Sequence, residues 1–233
     1  MINIKPGHVG IIMDGNRRFA KSLNLSPWKG HEYGEKKVFE LLEWCKDLNI
    51  KEVTVYAFSV QNINRPKLEF DYLMNIFLKC SENLLNDSKF LNSGVRIRVL
   101  GDLSLFPEDV RLRIDELVEK TKNNDSYFFN VALGYGGREE ILRAVKRIAN
   151  DVLTKNLSVE DIDESVFEDN LYLSSCPDLI IRTGGERRTS NFLPWQSTYS
   201  EWVFLDKKWP EFSKEDLVKC INDFSKRDRR FGK

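Results

Sequence analysis

Histidine is almost absent from this 233-residue chain. With only His8 and His31, a histidine-built metal centre or a Ser-His-Asp triad has little material. The four cysteines, Cys45, Cys80, Cys176 and Cys220, stand far apart with no CxxC pair, which argues against zinc and disulfide frameworks. Cys45, Cys80 and Cys220 each fall within an apolar helical pattern and read as small hydrophobes. No apolar run approaches the roughly 18 residues of a spanning helix, and MINIKPGHVG lacks the apolar stretch of a signal peptide. The expected setting is therefore cytoplasmic. Net charge is missing as well: 36 Lys+Arg balance 36 Asp+Glu, leaving no global field to attract nucleic acid or an anionic membrane. Neither GxGxxG nor GxxxxGKS/T occurs, which removes the common nucleotide cradles. No Pro/Gly/Ser-rich linker interrupts the sequence, so residues 1–233 read as a single domain.

What the chain does have is alternation. Val9–Met13, Val53–Phe58, Val95–Leu100, Phe128–Leu133, Leu179–Ile181 and Trp202–Leu205 read as strands, several of them apolar without interruption. Between them Val38, Leu41, Leu42, Cys45 and Leu48 keep helical spacing, as do Leu73, Ile76, Phe77, Cys80 and Leu84, and then Ile141, Val145, Ile148, Ala149 and Val152. Pro66 and Pro107 mark helix starts, each followed by acidic residues. Strands alternating with helices imply right-handed crossovers and an α/β fold, with a mostly parallel sheet of about six strands covered on both faces. Ligands of such sheets gather beyond the carboxyl ends of the strands.

Polar clusters fall at those ends. RTGGERRTS, from Arg182 to Ser190, reads as a diphosphate cradle: arginines offer planar forks of donors, glycines let backbone N–H groups approach, and hydroxyls fill the remaining places. Asp14 ends the first strand, and Gly15, Asn16, Arg17 and Arg18 follow where a helix begins. A helix start with two arginines suits an anion, and an aspartate there calls for a bridging cation, for which Mg²⁺ is the natural choice. The competing reading makes Asp14 an N-cap and the arginines surface charge. Ser59, Gln61, Asn62, Asn64 and Arg65 form a polar loop after the second strand, which turn chemistry alone would also explain. In GYGGREE the glutamates would repel phosphate, so that segment reads as a plain strand-to-helix turn. Phe192, Trp195, Tyr199 and Trp202 read as packing against the sheet. Glu201, on the segment returning from the arginine cluster, either completes a magnesium site or pairs with an arginine. Tyr127, Phe128 and Phe129 make one strand bulky. The closing KRDRRFGK is a basic end on a last helix.

Taken in order, HVGIIMDGNRRFAK, YAFSVQNINRP, RTGGERRTSNFLPWQSTYSE and the final RRFG resemble the cis-prenyltransferases, the undecaprenyl diphosphate synthase family, over essentially the whole chain. The resemblance implies a homodimeric, Mg²⁺-dependent α/β enzyme with an apolar substrate channel. Such an enzyme condenses isopentenyl diphosphate with an allylic prenyl diphosphate, forms a Z double bond and releases diphosphate. It implies no nucleic-acid partner, and membrane contact at most peripheral, through the lipid product. By this resemblance Asp14 and Asn62 are catalytic. Gly15, Asn16, Arg17 and Arg18 hold the allylic diphosphate, with Phe19 at the aromatic position beside it and His31 in the GH pair with Gly30, and the second motif supplies the further substrate-binding residues Ser59, Val60, Gln61, Ile63 and Arg65. Arg182, Arg188, Thr189 and Ser190 bind isopentenyl diphosphate, Glu201 joins Asp14 at the metal, and Arg230 to Gly232 reach the partner subunit's site. A neutral amide is a poor base, so Asn62 reads as an orienting group, with a diphosphate oxygen taking the proton.

The sequence departs from the family pattern at several positions. Arg17 replaces a usual glycine, Phe19 a common tryptophan, Pro27 a frequent arginine, Gln61 a common glutamate, Ile63 a common aromatic residue, and Arg187 a frequent histidine. These leave room for a second reading, transfer of the prenyl group to another acceptor such as a phosphorylated alcohol. A third, a non-catalytic subunit, fits poorly with Asp14 and Arg188 both present.

Overall fold

The structure, a computed structural model, describes residues 5–227. Six strands, β1 (His8–Ile12), β2 (Glu52–Ser59), β3 (Val95–Leu100), β4 (Tyr127–Tyr135), β5 (Leu179–Arg182) and β6 (Glu201–Phe204), form one sheet in the order β3-β4-β2-β1-β5-β6. Every neighbouring pair is parallel, as strands alternating with helices require. The helices are α1 (Asn16–Ser22), α2 (Gly30–Asp47), α3 (Lys67–Asn86), α4 (Ser88–Leu91), α5 (Glu108–Thr121), α6 (Gly137–Leu153), α7 (Glu164–Asp169) and α8 (Lys214–Ser225). Among the described residues, no helix is long and apolar enough to cross a membrane.

Period-2 alternation explains how short apolar runs bury both faces of the sheet. Val9, Ile11, Leu179 and Ile181 point into a core shared with Leu41 and Cys45 of α2 and with Leu217, Ile221 and Phe224 of α8. Ile12 and Ile180 point the other way, against Tyr135, Phe192 and Leu193. A third cluster joins Phe58 to Leu73 and Met74 of α3 and to Val110 and Ile114 of α5. Phe192 stacks on Tyr56 at 4.9 Å, Trp195 packs on Phe167 and Trp202 on Phe204, whereas Tyr199 is exposed. Cys45 and Cys220 are buried as expected, and burial pushes the Cys45 thiol up to about 12.

The two ends of the sheet differ in chemistry. At the amino end, His8 Nε2 lies 2.7 Å from the Thr54 hydroxyl, and Asn130 Nδ2 donates to Thr54 Oγ1 at 2.9 Å and to Glu52 Oε1 at 2.7 Å. This closed polar network joins β1, β2 and β4. At the carboxyl end the polar loops stay open to two adjoining cavities.

Candidate active site

Asp14 is fixed by its backbone before its side chain is considered. Its carbonyl oxygen accepts from the Thr183 hydroxyl at 2.8 Å and from the Trp209 N–H at 2.9 Å, so the turns after β1, β5 and β6 meet on one residue. This approach needs glycines on either side. Gly15 has φ +105°, and a Cβ there would stand 2.8 Å from Lys208 Cβ. Gly184 has φ +88°, and a Cβ there would stand 2.7 Å from an Arg18 nitrogen and 3.0 Å from the Asp14 carbonyl carbon. The N–H groups of Gly184 and Gly185 donate to the carbonyls of Lys207 and Leu205. The glycine pair therefore does not present free amides to phosphate; it provides positive φ and room for Asp14.

The Asp14 carboxylate is held by two arginines. Arg182 Nη2 reaches Oδ2 at 2.9 Å and Arg18 Nη2 reaches Oδ1 at 3.1 Å. Arg182 is buried, and its other amino group donates to Ser190 Oγ at 2.6 Å and to the Arg188 carbonyl. Arg182 thus works as an internal brace between Asp14 and the arginine loop. Arg18 and Arg188 keep exposed guanidinium groups, with Glu186 between them: Arg188 Nη1 is 2.6 Å from Oε2 and Arg18 Nη1 is 3.8 Å from Oε1. Arg187 and Thr189 are exposed on the same loop.

That loop is held in a costly backbone conformation. Ser190, Asn191 and Leu193 have φ of 52°, 63° and 47°, the left-handed region that non-glycine residues avoid. The start of α6 secures it. Asn191 accepts through its carbonyl from Gly137 N at 2.9 Å and through Oδ1 from Arg138 N at 2.9 Å, and it donates to Glu139 Oε2 at 3.1 Å. The plain-turn reading of GYGGREE holds, with β4 ending at Tyr135 and α6 starting at Gly137 with Glu139 and Glu140 in its first turn, and Glu139 meets an amide donor of the arginine loop. Glu140, 1% exposed, accepts from Tyr135, Tyr172 N and Gln196, and burial raises its pKa.

The second motif forms a 3-10 turn, Val60–Asn64, with Ser59 as its cap. Asn62 Oδ1 accepts from Ser59 N at 3.0 Å, which fixes the amide's orientation. Gln61 extends toward Glu139. Two members of the motif turn elsewhere: Ile63 packs in the Phe58 cluster and Val60 lines a separate groove along α6. Phe19 leans edge-on against Tyr33, with ring centroids 5.2 Å apart.

A residue not singled out from sequence sits at the centre of the basic groups. Glu69, 2% exposed, is 2.9 Å from Arg65 Nη1, 3.7 Å from His31 Nε2 and 3.7 Å from Arg17 Nε. Its position four residues after Arg65, on the first turn of α3, was the available signal. Burial first, then the charges of Arg65 and Arg17, hold the His31 pKa down at about 3. His31 is thus neutral near pH 7, and its Nε2 faces Arg65 Nη1 at 3.4 Å.

Two cavities meet at these residues. One, of about 370 Å³, is a basic pouch lined by Asp14 to Arg18, Lys21, His31 and Arg65. The other, of about 760 Å³, runs from Asp14, Asn62 and Arg188 down between α2, α3 and the sheet, past Leu73, Phe77, Val99 and Val131 to Leu117 and Phe129. Asp14, Asn16, His31 and Arg65 line both. A charged head held beside an apolar tail is the ligand shape this junction accepts.

The metal expectation divides. Among the described residues no group of three or more His, Cys, Asp or Glu side chains converges, so a cation here would draw most of its ligands from phosphate oxygens and water. Asp14 fits that role. Glu201 does not within one chain: register places it opposite Leu179, while Arg182 lies opposite Phe204 and Ile12, about 10 Å along the strands. The Glu201 carboxylate pairs with Arg227 instead, which is the other of its two expected roles. Arg230 and Gly232 lie outside the described residues.

Residues 12–232 match the family described as putative undecaprenyl diphosphate synthase. A tritrans,polycis-undecaprenyl-diphosphate synthase (geranylgeranyl-diphosphate specific) of Methanopyrus kandleri is 49% identical over 230 residues, covering 98% of this chain and 85% of that one. Lavandulyl diphosphate synthase from Lavandula x intermedia, solved in complex with dimethylallyl diphosphate, superposes with a TM-score of 0.90 at 35% identity, covering 98% of this chain and 99% of that one. A probable undecaprenyl diphosphate synthase from Campylobacter jejuni gives 0.82 at 36%, covering 99% and 100%. By sequence over nearly its whole length, and by fold, the chain belongs to the undecaprenyl diphosphate synthase family of prenyltransferases.

Proposed function

We propose that this protein condenses isopentenyl diphosphate with an allylic prenyl diphosphate to make a Z-polyprenyl diphosphate, working as one domain and as a homodimer. The observation that carries this reading is the junction at Asp14, where a basic pouch opens into an apolar channel. In this reading the allylic diphosphate lies in the pouch against Arg17, Arg18 and His31, with its hydrocarbon in the channel. Isopentenyl diphosphate lies against Arg188 and Ser190. The stated specificity of the Methanopyrus kandleri relative favours geranylgeranyl diphosphate as the starter.

Ionisation of an allylic diphosphate builds negative charge on the leaving group, and donors fixed in advance stabilise that charge most in the transition state. Arg18 is such a donor, aimed by its contact with Asp14. Asp14 is the residue that would hold Mg²⁺, which would supply further charge neutralisation. Neutral His31 adds a polar contact without proton exchange at pH 7. The apolar walls keep water from the allylic cation. Asn62, its oxygen tied to Ser59 N, has its NH₂ left to orient the isopentenyl group, and a diphosphate oxygen takes the departing proton. Arg230 to Gly232 complete the partner subunit's isopentenyl site, and membrane contact is limited to the lipid product of a cytoplasmic enzyme.

The test is product analysis by mass spectrometry with labelled isopentenyl diphosphate, Mg²⁺, and dimethylallyl, geranyl, farnesyl or geranylgeranyl diphosphate. Z-polyprenyl products that require isopentenyl diphosphate are expected. Prenyl transfer to another acceptor in its absence would replace this reading.

A further inference from the structure

The wall of the apolar channel is interrupted by one carboxyl group. Glu35 of α2 and Cys80 of α3 both line the channel, one on each of the two helices that flank it. Burial, and then the charge of Glu35, push the Cys80 thiol up to about 12, so it stays protonated. Lys36 and Glu32 flank Glu35 on its own helix, and Lys79 faces it from α3.

The place of this pair along the channel can be read from the helices. On α3, Cys80 is three turns beyond Glu69, roughly 16 Å at 1.5 Å per residue. Leu73 and Phe77 precede it toward the basic pouch; Leu84 follows it, where the channel continues between Ile97, Leu117 and Phe129. Apolar space therefore exists on both sides of a polar waist. Ser81, buried beside Cys80, adds a hydroxyl to the same wall.

We propose that the Glu35–Cys80 pair is a length-setting gate, at which the far end of the growing hydrocarbon stops because going further would strip the Glu35 carboxyl of its solvation. The inference rests on the elongation reading above. A hydrocarbon gains free energy by entering apolar space, but one that covers a carboxyl group and offers it no hydrogen bond loses the group's hydration. Elongation past Glu35 meets that opposing cost while apolar space remains beyond it. Product length is then set before the channel is full.

Product distributions from geranylgeranyl diphosphate and excess isopentenyl diphosphate test this, comparing wild type, Glu35→Ala and Glu35→Gln. The main product of both variants is expected to be longer by at least one C5H8 unit, with kcat/KM for the first condensation within about threefold of wild type. The glutamine variant keeps the side chain's size and removes its charge, so it separates charge from bulk, and first-condensation activity reports that each variant is folded. Unchanged product length in an active Glu35→Gln enzyme would overturn the gate. Absence of any product from wild type would instead overturn the elongation reading.

Discussion

Arg182 spans 2.9 Å to Asp14 Oδ2 with one amino group and 2.6 Å to Ser190 Oγ with the other. One planar, buried guanidinium thereby fixes Asp14 relative to the arginine loop, the two groups to which the proposed function assigns the leaving diphosphate and the second substrate. Lysine carries the same charge without the fork. Arg182→Lys is expected to lower kcat/KM for both substrates on the order of 10- to 100-fold, the effect of losing one charge-assisted hydrogen bond. Steady-state kinetics with each substrate varied in turn would measure it; a change confined to one substrate would contradict the brace.

Arg188 is different, because its guanidinium is exposed and leans on Glu186. Arg188→Ala is expected to raise the KM for isopentenyl diphosphate on the order of 10- to 100-fold, by the same hydrogen-bond magnitude. The thermal midpoint and the KM for the allylic substrate should stay close to wild type. A shift in the allylic KM alone would mean the two diphosphate sites are assigned the wrong way round.

Glu69 neutralises a cluster that would otherwise repel itself. Replacing it with alanine leaves Arg65, Arg17 and His31 around a partly buried void, and breaking a buried ion pair costs about 3–5 kcal/mol. Denaturant unfolding of Glu69→Ala should show a loss of that order. A loss below about 1 kcal/mol, the value of an exposed pair, would contradict the network.

The histidines set a pH dependence with a definite sign. His31 is held near 3 and His8 is lowered by burial, both from an ordinary 6.5. A depressed histidine pKa means that the unfolded chain binds the proton first. The stability from neutral burial is complete above pH 6.5 and is lost as pH falls toward the folded values, by up to about 1.4 kcal/mol per pH unit for each histidine. Glu140 works in the opposite sense, since burial raises its pKa. Comparing unfolding free energies of wild type and His31→Gln between pH 4 and 6.5 isolates one histidine. A shallower slope is expected in the variant, and parallel curves would contradict the burial of neutral His31.

The strands were legible because buried parallel strands are apolar runs, and β3 has the bounds read from sequence. The placement of Asp14, Asn62 and Arg188 followed, since each comes just after such a run. Three features were not legible in that way. Glu201 lies on the segment returning from the arginine cluster, but its distance from Asp14 depends on how β6 pairs with β5, a long-range property. Glu139 and Glu140 form the acidic first turn of α6 that the sequence reads, but their partners, Asn191 and Tyr135, are not visible in it. The glycines of RTGGERRTS suggested free N–H groups, whereas positive φ and close approach to Asp14 were the actual need. In each case residue type was informative, and its partner was not visible in the local sequence.

The most direct test concerns Asp14, where pouch and channel meet. Formation of Z-polyprenyl diphosphate from geranylgeranyl and isopentenyl diphosphates should be compared for wild type and Asp14→Ala at saturating substrates and Mg²⁺, after circular dichroism shows that the variant is folded. Wild type is expected to elongate, and the folded variant to lose about 10³-fold or more in kcat, the scale of removing preorganised stabilisation of a developing anion. A folded Asp14→Ala enzyme that turns over within about tenfold of wild type would contradict the assignment of Asp14 to leaving-group departure.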